Sequence, residues 1–273
     1  ILFMDKTPNY AVVNDAVELA RKKTNHNLSK LTNGVLRNII RNIDSIEYPK
    51  GATNDYLATY YSHPKWLVEK LLDIYSYSDL EEILLYNNQR PGLHIRVNTL
   101  KAGRDELIEM LGTEDIVCEP SRLLPNAINI NKLNSSLLDS AAYNKGYFYI
   151  QNTASMLAAL ILDPQPHDFV YDLCSGVGGK ATHLAELMGD QGKIHCYDIY
   201  DQKLKILNTN AKRLGINIIT TNLNDVLTIE TQELANAVLL DAPCSGLGVL
   251  NRRSDLRWNI GQGTLLELRK LQS

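Results

Sequence analysis

The sequence predicts an α/β protein whose C-terminal part is a doubly wound parallel sheet. From residue 168 onward, short apolar segments alternate with segments of helical periodicity, which is the order that gives a parallel sheet. The first apolar segment ends in Asp172, and three glycines follow within four positions, Gly176, Gly178 and Gly179. A strand, a tight glycine turn and a helix in this order typically hold a nucleotide-like ligand at the helix N-terminus.

The N-terminal third is predicted to be helical. Two amphipathic patterns within residues 1–50 indicate helices. Residues 51–62 are rich in Gly, Thr, Asn, Asp and Ser and therefore predict a linker. Pro64 is expected in the first turn of a further helix, since its fixed φ suits that position.

A small α+β unit is predicted between this helix and the parallel sheet. Residues 93–100 alternate between apolar and polar and indicate a half-buried strand with Arg96 on its polar face. Arg96 is expected at the surface, where it is either a solvated side chain or a contact for RNA. The remaining elements are a helix at 103–111 and short strands near 116–118, 127–130 and 147–150.

The parallel sheet itself is predicted to have four strands. Such sheets normally have more, and the chain begins at Ile1 within an apolar run and stops at Ser273 within a helical pattern, so we expect a fragment truncated at both ends. Gly215 is expected to end a helix. The strands are predicted at 169–174, 193–198, 216–221 and 237–241, with helices at 154–162, 180–188 and 201–214.

Composition excludes several classes of protein. A net charge of −3 argues against a dedicated nucleic-acid binder, so any basic surface must be local. The sequence has no apolar run of about 18 residues and no signal peptide. Its four cysteines are scattered, without a C-x-x-C pair, which favours a reducing compartment. We expect a cytoplasmic monomer without a metal or a membrane partner.

Three ligands compete for the glycine turn. A phosphate-binding P-loop is excluded, because Cys174 stands where its first glycine belongs and Lys180 is followed by Ala181. A dinucleotide fingerprint fits Gly176, Gly178 and Ala181, and this ligand stays open. The third candidate is S-adenosylmethionine, which has an adenosine but no pyrophosphate.

Carboxylates at the strand ends favour S-adenosylmethionine. Its ribose, its ammonium and its sulfonium cation suit carboxylates better than a phosphate cradle does. We assign Asp198 to the ribose hydroxyls and Asp225 to the adenine edge, and place the methionine end over the glycine turn. Four acidic residues stand at successive strand ends, namely Asp172, Asp198, Asp225 and Asp241.

A second chemical motif is D-A-P-C-S-G, which contains Asp241 and Cys244. Carbon 5 of a pyrimidine accepts a methyl group only after a thiolate adds to carbon 6, and an acid at N3 lowers that barrier. A cysteine beside a carboxylate therefore suits pyrimidine methylation, with Cys244 as nucleophile. The alternative is a structural turn with an inert cysteine.

A basic segment follows this motif. Arg252, Arg253 and Arg257 are interleaved with Trp258. Guanidinium groups and an indole are suited to contacts with phosphates and unstacked bases. The segment is therefore interpreted as an RNA contact, with a flexible surface loop as the alternative.

These motifs together resemble the RNA cytosine-5 methyltransferase family. The similar segments are D-L-C-S-G-V-G-G-K, D-A-P-C-S-G-L-G and N-R-R-S-D-L-R-W. Near the N-terminus, L-T-N-G-V-L-R-N-I-I-R resembles the last part of a NusB-like helical domain. The pairing is similar to the bacterial Sun-type 16S ribosomal RNA (cytosine-C5) methyltransferases.

The resemblance implies a domain order and a reaction. Residues 1–50 would be a partial NusB-like domain, residues 51–150 linker helices with a small α+β RNA-binding subdomain, and residues 151–273 a Rossmann-like class I methyltransferase domain. The implied reaction is S-adenosylmethionine-dependent methylation of cytosine carbon 5 in small-subunit ribosomal RNA. The alternative is a non-catalytic, RNA-binding NusB-like module with a vestigial Rossmann domain.

The resemblance also assigns residues. Cys244 would assist release of the methylated RNA, and the attacking nucleophile would be a cysteine in a later T-C-S motif, beyond Ser273. The usual A-A-P-G of the glycine turn is replaced here by residues 175–178, and the lost proline loosens the turn. The implied cofactor-binding residues are Cys174, Ser175, Gly176, Val177, Gly178, Gly179, Lys180, Asp198, Asp225 and Asp241.

Overall fold

The computed structural model describes residues 7–49, 51–229 and 233–273. The chain divides into two compact units, with the boundary between residues 86 and 87. The first unit is helical over its described residues. Its helices are α1 (Asn9–Lys23), α2 (His26–Arg41), α3 (Asn54–Tyr60), α4 (Lys65–Leu72) and α5 (Tyr77–Asn88), with a short 3-10 helix at Ile43–Ser45.

Helix α3 lies in the segment that was predicted to be a linker, and that prediction is wrong. The Thr53 hydroxyl caps the helix by accepting from the backbone N–H of Tyr56 at 3.1 Å. Leu57 is then fully buried, in a cluster with Val68 and Leu80. Tyr56 and Ala58 pack against the same cluster, so a cap and a buried apolar face stabilise the helix where the composition alone indicates a loop.

The second unit begins with an antiparallel sheet in the order β2-β3-β1-β4. Ile95 on the central strand lies opposite Ile128 on one side and Ile150 on the other, so the apolar face of the sheet is continuous. This confirms the predicted α+β elements. The elements of this part are β1 (Leu93–Val97), α6 (Arg104–Thr113), β2 (Val117–Pro120), β3 (Ala127–Lys132), α7 (Ala141–Asn144) and β4 (Phe148–Ile150). Of these, α7 was not predicted.

The parallel sheet follows, in the order β7-β6-β5-β8. The first strand of this sheet along the chain, β5, lies between β6 and β8. The direction in which successive strands are added to the sheet reverses beside it. Open α/β sheets bind ligands at such a point, outside the carboxyl ends of the strands. The elements are α8 (Thr153–Leu162), β5 (Phe169–Asp172), α9 (Gly179–Leu187), β6 (Lys193–Asp198), α10 (Asp201–Leu214), β7 (Ile219–Leu223), β8 (Ala237–Leu239), α11 (Leu256–Asn259) and α12 (Gln262–Gln272).

The predicted α/β fold is thus confirmed, with small shifts at strand ends. β7 begins at Ile219 rather than at residue 216, because the N–H of Ile216 still bonds to the carbonyl of Ala211 and belongs to the end of α10. Gly215 ends that helix with φ of +79°, as expected. The boundary predicted near residue 150 falls between the two sheets, inside one compact unit. In the part of the chain that the structure describes, no helix is long and apolar enough to cross a bilayer.

Arg96 is buried rather than exposed, which corrects the sequence interpretation. Only 1% of the residue is accessible. From β1 its guanidinium reaches α9, where Nε and Nη2 donate to the two carboxylate oxygens of Glu186 at 2.7 and 2.8 Å. Nη2 also donates to the hydroxyl of Thr182, and Nη1 donates to the carbonyl of Gly179 at 2.7 Å.

The polar face of β1 is therefore an internal contact. Asn98, on the same face, is fully buried and donates to the carbonyls of Gly146 and Leu214. Alternation of apolar and polar residues identifies the two faces of a strand, but it does not reveal that the polar face is covered by another element. Here the parallel-sheet layer covers it.

The Arg96–Glu186 pair predicts a non-additive double-variant cycle. Burial raises the pKa of Glu186, although the guanidinium acts in the opposite direction. Arg96→Met leaves this carboxylate buried without its partner, so we expect a loss of about 3–5 kcal/mol in the free energy of unfolding. The double variant Arg96→Met/Glu186→Leu should recover most of that loss. Urea denaturation of the single and double variants tests this, and additive losses would contradict it.

Candidate functional site

The glycine turn joins β5 to α9 and depends on two left-handed glycines. Gly176 has φ of +55° and Gly178 has φ of +87°. A Cβ on Gly178 would lie 2.6 Å from Cγ of Leu207 on α10, so this glycine lets two helices approach closely. A Cβ on Gly176 would meet no atom within 4 Å. Gly176 therefore faces open space, which is what a turn that admits a ligand requires.

Asp198, at the end of β6, holds this turn in place. Its Oδ2 accepts from the backbone N–H of Gly176 at 3.0 Å, and its Oδ1 accepts from the N–H of Tyr200 at 2.9 Å. The ammonium of Lys203 lies 3.6 Å from the same carboxylate. The side chain is 7% exposed, and both of its oxygens accept from backbone N–H groups, so the carboxylate fixes the backbone around the turn.

A cavity of about 350 Å³ opens above the turn. Its size falls within the range of small-molecule sites, which begins at about 300 Å³. The walls come from the ends of β4, β5 and β8 and from the starts of α8 and α9. They are formed by Tyr149, Ile150, Gln151, Asn152, Ser155, Asp172, Cys174, Ser175, Gly176, Val177, Gly179, Lys180 and Asp241.

Asp172 is the most strongly perturbed group in this cavity. Burial raises the pKa of its carboxyl to about 7, and the carboxylates of Asp241 and Asp198 act in the same direction. The N–H of Cys174 and the ammonium of Lys180 oppose that rise. Neither oxygen of Asp172 has a hydrogen-bond partner of good geometry among the described residues. Lys180 instead forms an ion pair with Asp241.

The structure brings together seven of the ten residues predicted to bind the cofactor. Gly178 shapes the turn but does not line the cavity, and Asp198 and Asp225 lie outside its walls. Asp225 is exposed and caps the 3-10 helix Val226–Thr228 by accepting from the N–H of Leu227 at 3.0 Å. The seven wall residues are Cys174, Ser175, Gly176, Val177, Gly179, Lys180 and Asp241.

One wall of the cavity was missed by the sequence analysis. Tyr149, Gln151, Asn152 and Ser155 belong to the end of β4 and the start of α8, and they reach the turn from the antiparallel sheet. Polar residues directly after a predicted strand gave the only signal. Asn152 also caps α8 by accepting from the N–H of Ser155 at 2.7 Å.

The D-A-P-C-S-G segment lies in the loop that follows β8. Asp241 lines the cavity, whereas Cys244 is exposed and lies outside its walls. An exposed thiol at this edge of the sheet is accessible to a large substrate. The inert, buried cysteine that was the alternative to a chemical role does not fit this placement.

The three arginines of the basic segment have different surroundings. Arg252 and Arg253 are exposed, as is Trp258 with 63% of its surface accessible. Arg257 is buried, which does not agree with its predicted position on an RNA-binding surface. Its Nη1 donates to the side-chain oxygen of Asn88 and its Nη2 to the carbonyl of Asn87, and burial lowers its pKa.

We expect substitutions of Gly176 and Gly178 to lower the free energy of unfolding by different amounts. Gly178→Ala combines an unfavourable φ with a clash against Leu207, so we expect a loss of about 2–4 kcal/mol in the free energy of unfolding. Gly176→Ala, the matched control, adds a methyl group in open space and should cost about 1 kcal/mol. Urea denaturation of both variants measures this. Equal losses would show that the contact with Leu207 is unimportant.

Because burial raises the pKa of Asp172, we expect the variant Asp172→Asn to become more stable relative to wild type as the pH rises. Between about pH 4 and pH 7 the folded chain retains a proton that the unfolded chain releases, so the wild type loses stability as the pH rises. Asp172→Asn removes this loss. Its stability relative to wild type should therefore increase from pH 4.5 to pH 8, by about 3 kcal/mol.

Urea denaturation at the two pH values tests the Asp172 prediction. The control is Asp225→Asn, because Asp225 is exposed and asparagine caps a helix as well as aspartate does. A relative stability of Asp172→Asn that stays constant between the two pH values would contradict the prediction.

Three family models match successive parts of the chain. The NusB family matches residues 1–41, an RsmF/B-like ferredoxin-like domain matches residues 63–135, and the 16S rRNA methyltransferase RsmB/F model matches residues 159–273. Their order agrees with the order of the helical, α+β and parallel-sheet parts. The resemblance found in the motifs is confirmed.

Curated relatives extend over almost the whole chain. It is 33% identical over 273 residues to the probable ribosomal RNA small subunit methyltransferase B of Synechocystis sp., and the alignment covers 99% of this chain and 61% of that protein. It is 34% identical over 264 residues to the probable ribosomal RNA small subunit methyltransferase B of Bacillus subtilis, covering 94% and 58%. The chain thus spans about 60% of the length of these relatives.

Solved structures agree with this result. The crystal structure of the protein PH0851 superposes with a TM-score of 0.82 at 31% identity, covering 98% of this chain and 60% of that one. NSun6 from Pyrococcus horikoshii, at 21% identity, gives a TM-score of 0.68 and supports the fold, covering 82% of this chain and 77% of that one. The three family models and the curated relatives agree, and the chain is similar over nearly its whole length to the RsmB/F family of 16S rRNA methyltransferases.

Proposed function

We propose that this chain carries the cofactor site of an S-adenosylmethionine-dependent enzyme that methylates cytosine carbon 5 in small-subunit ribosomal RNA. The observation that carries the proposal is the cavity over the glycine turn. Its walls include the buried carboxylate of Asp172 and the first residue of the D-A-P-C-S-G segment, Asp241. The groups that we propose to bind the cofactor and to face the substrate therefore lie at one edge of one sheet.

The residues of the cavity fit S-adenosylmethionine. The open space at Gly176 admits a ligand against bare backbone. The two oxygens of Asp172 lack a protein partner, and an ammonium group would satisfy them. The cation of Lys180 is already paired with Asp241. A dinucleotide pyrophosphate would meet these carboxylates without a free lysine, so the donor set favours the methionine cofactor.

Other acidic residues would hold the nucleoside end. Asp198 uses its carboxylate to fix Gly176 and Tyr200, but two oxygens offer about four acceptor positions, so it can also accept from ribose hydroxyls. Asp225 is exposed at the end of the next strand and is assigned to the adenine edge. When bound, the cofactor supplies the electrophilic methyl group.

The loop after β8 would face the cytosine. The carboxylate of Asp241 can accept a hydrogen bond from a cytosine ring protonated at N3, and protonation there lowers the barrier to attack at carbon 6. We assign Cys244 to the release of methylated RNA. The family resemblance assigns the attacking thiol to a cysteine of a later T-C-S motif. Cys244 is exposed and stands three residues after Asp241, which supports its access to a product that is still bound.

Ribosomal RNA would bind along the basic segment. Arg252, Arg253 and the indole of Trp258 are exposed. Phosphate contacts from the arginines and stacking on the indole would suit a single-stranded target. Arg257 has a different part, because it holds the segment against residues 87 and 88.

Isothermal titration of the chain with S-adenosylmethionine tests the cofactor assignment. We expect binding in the micromolar range and no heat with NADH. Asp198→Ala should weaken binding at least tenfold, since it removes both the ribose acceptor and the bond that holds Gly176, which together correspond to about 1.4 kcal/mol or more.

The control for this titration is Asp201→Ala. Asp201 is exposed at the start of α10 and pairs with Lys205 at 2.6 Å, so its loss should leave the affinity unchanged. Strong NADH binding together with no heat from S-adenosylmethionine would contradict the proposal.

A further inference from the structure

The amide of Gln151 is held in one orientation by Arg96. Gln151 stands between β4 and α8 and is 7% exposed. Its side chain meets Nη1 of Arg96 in a short contact. A guanidinium has donors and no acceptor, so the amide atom that faces it must be the oxygen, Oε1. The usual ambiguity between the two ends of a glutamine amide is therefore resolved at this position by chemistry.

The other end of this amide is a buried donor without a partner. Nε2 of Gln151 has no hydrogen-bond acceptor among the described residues. The residue lines the cavity, and Nε2 lies 3.8 Å from the position that a Cβ on Gly179 would occupy. Leaving a buried donor unsatisfied costs free energy, and native structures rarely do so without a reason. An acceptor on a ligand would satisfy it.

The charges around the cavity indicate which group that acceptor is. Two carboxylates line the cavity, of which Asp172 lacks a partner and Asp241 is paired with Lys180. Nε2 of Gln151 approaches the start of α9 near Gly179, where the first turn of that helix carries a partial positive charge. A ligand with an ammonium at one point and a carboxylate at another matches this division.

We propose that Gln151 is a cofactor-binding residue whose Nε2 donates to the carboxylate of the amino-acid end of S-adenosylmethionine, with Arg96 as the residue that orients it. The ammonium of the same end faces Asp172. This assignment rests on the proposed function and adds a residue from outside the parallel sheet to its cofactor site. An acceptor on the RNA is the competing possibility, and the choice of ligands below separates the two.

Gln151→Glu is the sharpest variant for the test. Glutamate keeps an oxygen toward Arg96, so the buried network survives, but it replaces the donor with a second oxygen. We expect the melting temperature of the ligand-free variant to be no lower than that of wild type. Gln151→Ala removes both ends of the amide and provides a second comparison.

The ligands are S-adenosylmethionine and its decarboxylated analogue, which keeps the ammonium and the sulfonium. By isothermal titration, Gln151→Glu should bind S-adenosylmethionine at least tenfold more weakly than wild type does, because two carboxylates would meet. Gln151→Ala should lose about fivefold to tenfold. For the decarboxylated analogue, the affinity of either variant should fall by no more than about twofold. This ligand has no carboxylate, so neither substitution removes a contact that it makes.

The outcomes separate the two proposals. Equal losses for both ligands would mean that Gln151 acts only on the shape of the site and would overturn its assignment alone. Unchanged affinity for S-adenosylmethionine in both variants would also overturn the assignment and leave RNA as the acceptor. Failure of the wild-type chain to bind S-adenosylmethionine would overturn the proposed function, and the assignment with it.

Discussion

The buried guanidinium of Arg96 is the interaction on which the second unit depends. It is inaccessible to water, so every donor that it carries needs an acceptor inside the protein. Glu186 and Thr182 supply three acceptors from α9, Gly179 supplies its carbonyl, and Gln151 supplies its amide oxygen. The antiparallel sheet is thereby bonded to the very helix that begins at the glycine turn.

As a result of this bonding, residues of both sheets form the candidate site. The parallel sheet supplies the turn and the carboxylates at its edge, as doubly wound folds do. The antiparallel sheet supplies part of the wall through the end of β4, and the segment that leads from it into α8 supplies Gln151, Asn152 and Ser155. Since Gly179 both opens α9 and accepts from Arg96, a change in the α+β part would displace the turn without touching the ligand.

Much of this arrangement could be predicted from the sequence, for physical reasons. Periodicity identified the parallel strands and the helices between them, and the glycine spacing identified the turn, because backbone with positive φ has few alternatives. The burial of Arg96 and of Arg257 could not be predicted. A polar side chain on one face of an element indicates solvent by default, and only the tertiary partner of that face decides otherwise.

The four carboxylates at the strand ends are a second case in which the sequence does not reveal the tertiary partners of a side chain. The sequence predicts Asp172, Asp198, Asp225 and Asp241 at successive strand ends, which is correct, but it does not reveal which of these carboxylates already has a partner within the protein. The structure separates them by what already occupies each one. Asp198 and Asp225 accept from backbone N–H groups, and Asp241 is paired with Lys180.

Asp172 alone of these four has both oxygens buried without a protein partner in the described part of the chain. Two buried polar groups of the cavity are therefore left for a ligand to bind, the carboxyl of Asp172 and the amide nitrogen of Gln151. One is an acceptor whose pKa burial raises to about 7, and the other is a donor fixed by Arg96. A zwitterionic amino-acid group satisfies both at once, whereas a phosphate satisfies only the donor and is repelled by the acid.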